Sequence, residues 1–556
     1  MALLRSFWNL MWSWDRQVRH LLSFAFSVLT PTKPKEGKSK EDELEEAYKK
    51  VTEPPSNNNE RPPTFSMPQK IGLVLRPLLF TLVKIMPTPA GMPEEANTVL
   101  AAILWVAVWW VTEAVPIPIT SLLPLILFPL GGVMEMDAVS ASYGDSLIFL
   151  FAGSFMIALS MEKWNLHKRV ALSIIAFVGT NPNTIILGFM IATAFISMWI
   201  SNTATTMLMV PIAIAVTKQF ADQVSANAPL DNKPDTTPGT FKFGTALMLG
   251  LAYSATIGGF GSLIGAPANI ILAGTLNSLY NLEISFANWL LFGLPLVAVL
   301  IPLLWLYLTK VAFRMNLKGI PGGREIIRKD LKDLGGMSYE EKVVLTVFTV
   351  TALAWISRSF FLNNFIPGLD DALIALLGGV ALFLIPAKNK PGAIMDWNTA
   401  LKLPWGILWL FGGGLALAAG IMNSGLDEWI GGQLGAFEAM PTVIAIALIV
   451  ATITILSEFT SNTATSTMAY PIVAVVATTL GMNPIILMVA ANMGATFAYM
   501  FPVAAPPNAI VFGTGYVKMK SMAMTGIWLN VISIAISVLV VYFYVPIVFK
   551  DLMAAF

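Results

Sequence analysis

The sequence predicts an all-α, polytopic membrane protein built from two homologous halves, and three observations carry that prediction. The 556-residue chain is 56% hydrophobic and only 12% charged, against about 25% charged residues in ordinary soluble domains. Many of its segments are apolar over the roughly 17 residues or more needed to cross a bilayer. The pentapeptide Ser-Asn-Thr-Ala-Thr occurs twice, at 201–205 and 461–465, each copy followed by a proline at the same distance, Pro211 and Pro471. The formal net charge of +1 creates no field for nucleic acid. Cysteine is absent and the only histidines are His20 and His167, which excludes disulfides, thiol chemistry and a His-rich zinc site. No organic cofactor motif is present.

The chain opens with Trp8, Trp12, Trp14, Arg16 and Arg19 ahead of a short apolar run, 21–29. That run is too short to span. With Asp15 before it and no small-residue cleavage site, it reads as an interfacial helix rather than a signal peptide. A linker rich in Lys and Glu, then in Pro and Asn, continues to residue 69. The first membrane repeat occupies 70–311, with spans expected over 71–87, 97–114, 117–133, 168–180, 184–200, 202–218, 245–257 and 288–311. A connector over 312–340 follows. The second repeat, 341–556, has segments over 341–360, 370–386, 440–457, 462–480, 484–500 and 525–549. Several of these are short or broken by Gly and Pro, so the full spans number about 11. Lys310, Arg314, Lys318, Arg324, Arg328 and Lys329 lie in and beside the connector. Short-loop positive charge stays cytoplasmic, which places the connector and the N-terminus inside the cell. His167, beside Lys163, Lys168 and Arg169, reads as a loop residue.

The repeat can be followed residue by residue. A fixed offset of 260 aligns LIFLFAG (147–153) with ILWLFGG (407–413), and Ser197, Ser201, Asn202, Thr203 and Pro211 with Ser457, Ser461, Asn462, Thr463 and Pro471. Farther on, GAPAN (265–269) matches APPN (505–508) at an offset of 239, and the polar insert near 221–241 absorbs the difference. The span count that would decide whether the repeats are inverted is not fixed by the sequence.

Three duplicated constellations carry chemistry. An Asn within a membrane segment is costly unless its amide is satisfied. In 201–203 and 461–463 the Ser and Thr oxygens can cap a helix that begins there. Such a start presents free N–H groups and a positive dipole end, which attract a carboxylate, while the carbonyls before the break can coordinate a small cation. Two such ends facing one cavity suit a molecule with two carboxylates. The second constellation is a pair of breaks over 256–269 and 492–508, where proline removes donors and glycine admits close backbone approach. The Gly run 258–265 lacks the Lys and the strand context of a phosphate loop. The third is FAGSF (151–155) and FGGGL (411–415), read as the turns of hairpins over 145–163 and 403–421, with close helix packing through Gly as the competing account. Glu113, between Trp109-Trp110 and Pro116, pairs or caps a broken helix. Glu458, three residues before Ser461, influences the second site or caps a helix end.

These residues resemble a known family. WWVTEAVPIPITSLLP (109–124), ISNTATTMLMVP (200–211), IGGFGSLIGAPAN (257–269), EFTSNTATSTMAYP (458–471) and FPVAAPPNAIVFGTG (501–515) are similar to the divalent anion:sodium symporters. That group contains bacterial and animal di- and tricarboxylate carriers and sulfate carriers, the INDY-type transporters among them. The likeness covers roughly 70–550. It implies two inverted repeats with broken helices and re-entrant hairpins, a homodimer in the bilayer of the inner (cytoplasmic) membrane, and an elevator motion of a transport domain past a scaffold. It implies substrate contacts at Ser201, Asn202, Thr203, Ser461, Asn462 and Thr463, and in the later breaks at Pro267, Ala505 and Pro506. Na⁺ as coupling ion would be held near Ser197, Ser201, Asn202, Gly258, Ser457, Ser461, Asn462 and Ala504. Two departures stand out. Where many members read T-P-P-N, this chain has Ala266 with Ala268, and Ala505 before Pro506. Each Ala removes a hydroxyl that could bond a carboxylate.

The sequence therefore reads as a secondary carrier of C4–C5 dicarboxylates such as succinate, malate, fumarate or 2-oxoglutarate. Sodium symport and dicarboxylate exchange both remain open, as do citrate or sulfate as the cargo. A channel would need a continuous polar path instead of a discrete site. An enzyme would need a nucleophile–base pair, and none is credible here.

Overall fold

A computed structural model describes residues 72–73, 80–178, 181–227, 235–315, 323–434 and 440–556. The interfacial helix and linker expected before residue 70 lie outside these residues, as does much of the first expected span. Among the described residues the fold is helical, with one isolated bridge between Pro386 and Ala393. The chain over Met67–Phe512 and Tyr516–Phe556 forms one unit.

Many of the helices begin at a side-chain cap or a proline. Helix α1 (Glu94–Thr112) ends where Glu113 takes a left-handed φ of 45°, ahead of Pro116. Helix α2 (Ile117–Leu130) follows. The first copy of the repeat runs through α3 (Ser146–Lys163), α4 (Leu166–Val178), α5 (Pro182–Ser197), α6 (Asn202–Asn227), α7 (Lys242–Phe260), α8 (Pro267–Tyr280) and α9 (Phe286–Ala312). Connector helix α10 (Gly323–Asp333) leads to α11 (Tyr339–Phe365) and α12 (Asp371–Leu384). The second copy is α13 (Trp405–Asn423), α14 (Leu426–Leu434), α15 (Thr442–Phe459), α16 (Asn462–Thr479), α17 (Pro484–Thr496), α18 (Pro506–Gly513) and α19 (Met519–Val548). Helices α4, α5 and α6 start 260 residues before α14, α15 and α16, and α8 starts 239 before α18, as the two sequence offsets require.

Eight helices in the described residues are long and apolar enough to cross a membrane. Helix α7 is buried along its whole length and forms the centre, whereas α11 and α19 expose most of their apolar surface. Charges meet in ion pairs: Lys163 with Asp396 at 2.6 Å, Arg169 with Glu341 at 2.7 Å, and Arg358, within α11, with Glu283 at 2.5 Å and Asp371 at 3.2 Å. A capping box between Ser338 and Glu341 starts α11.

Two expectations are corrected. The hairpin turns placed at 151–155 and 411–415 do not occur, since both stretches lie inside the unbroken helices α3 and α13. Their glycines serve packing instead. A Cβ on Gly153 would strike the Ala375 backbone at 2.5 Å, and one on Gly413 would strike Ser121 O at 2.4 Å. The chain reverses only after these helices, at Asn165 (φ 57°) and Gly425 (φ 71°). His167 is not in a loop. It is buried in the first turn of α4 with Nδ1 3.0 Å from Met161 O.

Candidate functional site: two helix-start clamps beside broken helices

Helices α5 and α6 form a hairpin with the Ser-Asn-Thr motif at its tip, and α7 shows why. Gly250 of α7 faces Ile186 and Met190 while Gly258 faces Ala194, so α5 runs parallel to α7. Gly259 faces Asn202 while Gly244 faces Thr217, so α6 runs antiparallel to it. Between the two arms the chain leaves helical geometry at 198–201 and restarts at Asn202. Ser201 Oγ caps the restart by accepting from Ala204 N at 3.2 Å. The Asn202 and Thr203 amides are among those that no intrahelical carbonyl can serve.

Behind the tip lies an oxygen cluster. Ser197 Oγ is 2.5 Å from Asn202 Oδ1 and 2.7 Å from Ala255 O. One hydroxyl proton can serve only one of these acceptors at a time, so lone pairs are in surplus. The break between α7 and α8 adds more. Asn269 Nδ2 donates to Gly259 O (3.1 Å) and Ser262 O (2.8 Å), and Ser262 Oγ donates to Met198 O. A Cβ on Gly265 would lie 2.5 Å from Gly259 O and 3.0 Å from both Ser197 O and Met198 O. Three carbonyl oxygens from two segments thus converge on one side-chain-free position. Oxygen-only donors without a fixed charge fit a small hard cation such as Na⁺.

The second half repeats this construction. Ser457 Oγ lies 2.8 Å from Asn462 Oδ1 and 2.7 Å from Ala495 O, and Asn462 Nδ2 donates to Thr496 O at 3.2 Å. Helix α16 runs antiparallel to α17, with Asn462 at Thr496 and Tyr470 at Asn492. Asn508 Nδ2 donates to Ala498 O and Phe501 O across the break, as Asn269 does in the first half. Asn508 Oδ1 is buried without a partner among the described residues. The break is held by Glu458, whose carboxylate accepts from Tyr499 N (2.7 Å), Met500 N (3.0 Å), Phe501 N (3.2 Å) and Asn530 Nδ2 (2.5 Å). Glu458 is thereby a brace for the loop. Ser461 makes no side-chain cap, unlike Ser201.

The family model for the sodium:sulfate symporter transmembrane region matches residues 69–550. The chain belongs to this family. It is 49% identical over 494 residues, 88% of its length and 94% of the relative's, to the sodium-dependent dicarboxylate transporter SdcS of Staphylococcus saprophyticus. It is 47% identical over 488 residues to SdcS of Staphylococcus aureus, covering 87% of this chain and 92% of the relative. The crystal structure of the Alcanivorax borkumensis YdaH transporter matches with a TM-score of 0.54 at 13% identity, over 86% of this chain and 99% of that one, a likeness of fold.

Within this symporter family member, the structure assembles Ser197, Asn202 and the carbonyl side of the first break in one cluster, and Ser457, Asn462 and the second break in another. Ser201, Asn202, Thr203, Ser461, Asn462 and Thr463 are half-buried, whereas Ser197, Ser457, Asn269 and Asn508 are fully buried. The oxygen cluster is thus enclosed and the helix-start triplets are reachable. Gly258 is buried with Ala194 backbone against its Cα, so it serves the hairpin contact. Pro267 begins α8 and is half-buried. Ala504 and Ala505 are buried and Pro506, which begins α18, is exposed. Sequence reasoning placed Asn269, Asn492 and Asn508 in the two breaks without their bonds, and missed Tyr253, Tyr470 and Asn530. Only Asn269 and Asn508 left a signal, by recurring at matched positions.

Four helices, α6, α8, α16 and α18, begin beside these clusters. Their positive ends favour an anion, and the neutral Asn and Thr groups give it direction without a fixed counter-charge.

Proposed function

We propose that this protein is a sodium-coupled carrier of C4–C5 dicarboxylates such as succinate, malate, fumarate and 2-oxoglutarate. The observation that carries the reading is the duplicated clamp: a Ser–Asn pair at a helix start, set against the carbonyls of a broken helix, once in each half. Each helix start takes one carboxylate through backbone N–H groups and the Thr203 or Thr463 hydroxyl. Each oxygen cluster takes one Na⁺. The sodium-dependent dicarboxylate transporters at 47–49% identity support this choice of cargo and ion. The two halves are inverted repeats, and the α5–α6 and α15–α16 hairpins enter the membrane without crossing it. The clamps ride in a transport domain that moves as an elevator past a scaffold in a homodimer. The protein resides in the inner membrane with the connector and N-terminus on the cytoplasmic side.

The test is radiolabelled succinate uptake into proteoliposomes, empty or preloaded with unlabelled dicarboxylate, each with and without a sodium gradient. Uptake into empty vesicles that requires sodium is the expected result. Uptake that requires internal dicarboxylate and ignores sodium would replace symport by exchange. Uptake of sulfate or citrate in preference to succinate would move the cargo assignment.

A further inference from the structure

The two clamps are joined by buried hydrogen bonds that cross between the halves. From the second clamp, Asn462 Nδ2 donates to Thr496 O. The Thr496 hydroxyl donates to Asn492 Oδ1 at 3.2 Å, and Tyr470 OH donates to the same oxygen at 2.8 Å. Asn492 Nδ2 then crosses to the first half and donates to Asn269 Oδ1 at 3.1 Å. Asn269 in turn holds Gly259 O and Ser262 O, carbonyls of the first break. In the opposite direction, Tyr253 OH of α7 donates to Tyr499 O at 2.9 Å, in the loop that Glu458 braces.

The crossing is reciprocal. Tyr253 lies on α7 and Asn492 on the matched helix α17, one position out of register, because the contacts of Ser197 with Ala255 O and of Ser457 with Ala495 O relate these helices by 240. Each half sends a polar side chain from its buried broken helix to the break of the other half. Asn269, Asn492 and Tyr253 are completely buried. Buried amides and hydroxyls cost free energy unless paired, and apolar side chains would fill the same space without that requirement. The pairing also constrains motion. A shift of Gly259 O or Ser262 O toward a cation pulls Asn269, and through it Asn492 and Thr496.

We propose that Asn492 and Tyr253 are positioning residues that couple the two clamps, so that a cation held in one half biases the geometry of the other. The proposal rests on the sodium-coupled reading above. Coupling of this kind appears as cooperativity in the sodium dependence of transport.

The experiment is a sodium titration of succinate uptake by the full chain in proteoliposomes, for the wild type, Asn492→Ala, Tyr253→Phe and Asn492→Ala/Asn269→Ala. The wild type is expected to give a Hill slope above one. Asn492→Ala and Tyr253→Phe are expected to bring the slope toward one and to raise half-saturating sodium about three- to tenfold, with a smaller loss of maximal rate. The double variant should keep the slope of Asn492→Ala, because the cross-half chain is already cut, while half-saturating sodium rises further as Gly259 O and Ser262 O lose Asn269. A general weakening of the fold would lower the maximal rate and leave the slope in place. A wild-type slope in a monodisperse Asn492→Ala or Tyr253→Phe preparation would overturn the proposal, as would sodium-dependent wild-type uptake with a slope of one. If Asn492→Ala is not recovered folded, Tyr253→Phe decides alone, since it removes one hydroxyl and keeps the ring. Sodium-independent uptake by the wild type would refute the sodium-coupled reading itself, and the coupling with it.

Discussion

Adding one methyl group at Gly259 separates the site from the scaffold that holds it. A Cβ there would lie 2.3 Å from Asn202 Oδ1 and 3.0 Å from Asn202 Cγ and Nδ2. A side chain can yield where a backbone cannot, so the fold survives if Asn202 moves away by about 1 Å. That movement takes Asn202 Oδ1 from 2.5 Å to about 3.5 Å from Ser197 Oγ, beyond hydrogen-bonding distance. Losing one such bond is worth about 0.5–1.5 kcal/mol, or about two- to tenfold in an equilibrium constant. Gly259→Ala is therefore expected to raise the half-saturating sodium or succinate concentration by that factor in proteoliposome uptake, with an apparent melting temperature near the wild type. Gly258→Ala is the contrast. Its added Cβ meets Ala194 O at 2.3 Å and Ala194 Cα at 2.4 Å, and only separating α5 from α7 relieves that clash. Overpacking of this kind costs about 1–3 kcal/mol, so this variant should melt earlier. Normal affinities in Gly259→Ala, or equal melting losses in both variants, would refute the placement of Asn202 as the yielding site group.

Three further outcomes follow from the same geometry. Ser457→Ala removes the hydroxyl shared by Asn462 Oδ1 and Ala495 O and should raise half-saturating sodium about two- to tenfold, measured by uptake. Glu458→Gln replaces an acceptor of three backbone N–H groups and the Asn530 amide with a side chain that must turn a donor toward one of them. At about 1–3 kcal/mol for the unmet group, the apparent melting temperature should fall by about 1–3 °C, and an unchanged melt by tryptophan fluorescence would show that the loop has another brace. The hydrogen bond from Lys163, then burial and the Thr399 amide, act on Asp396, and their net effect holds its carboxyl below the ordinary carboxylate range. A lowered folded pKa contributes stability that is complete above the unfolded value near 4 and is lost as pH falls through the folded value. The Lys163–Asp396 tie should then be insensitive to pH between about 5 and 8, and Asp396→Asn should flatten the acid limb of the melting profile below about pH 4.

The parts of the fold legible in the sequence were those written in periodicity and duplication. Apolar length gave the helices, and the 260 and 239 offsets paired Asn202 with Asn462 and Asn269 with Asn508. Local chemistry gave the helix restarts, because Ser, Asn and Pro act on their nearest neighbours. The hairpins were misread for a physical reason. FAGSF and FGGGL contain the small residues of a turn, but small residues equally allow two helices to touch, and only the neighbours Ala375 and Ser121 decide between these. The long-range bonds were illegible because Asn492, Tyr253 and Asn530 act on partners 31 to 246 residues away. A lone amide in an apolar run does not name its partner.

The clamps hold no Lys or Arg among the described residues, and this bears on coupling. A dianion set among neutral Asn, Ser and Thr groups is stabilised only by helix ends, each equivalent to roughly half an elementary charge. Moving that dianion through a low-dielectric barrier would leave uncompensated charge, which burial makes costly. A site lined by arginine would solve this by holding the anion permanently, and would then release it slowly. Two oxygen clusters with surplus lone pairs solve it conditionally. On the proposed reading, cations occupy them, offset the carboxylates, and leave with them. On that reading sodium is a requirement of movement more than of recognition, and the proposed coupling between the clusters would keep a half-loaded site from passing as a full one.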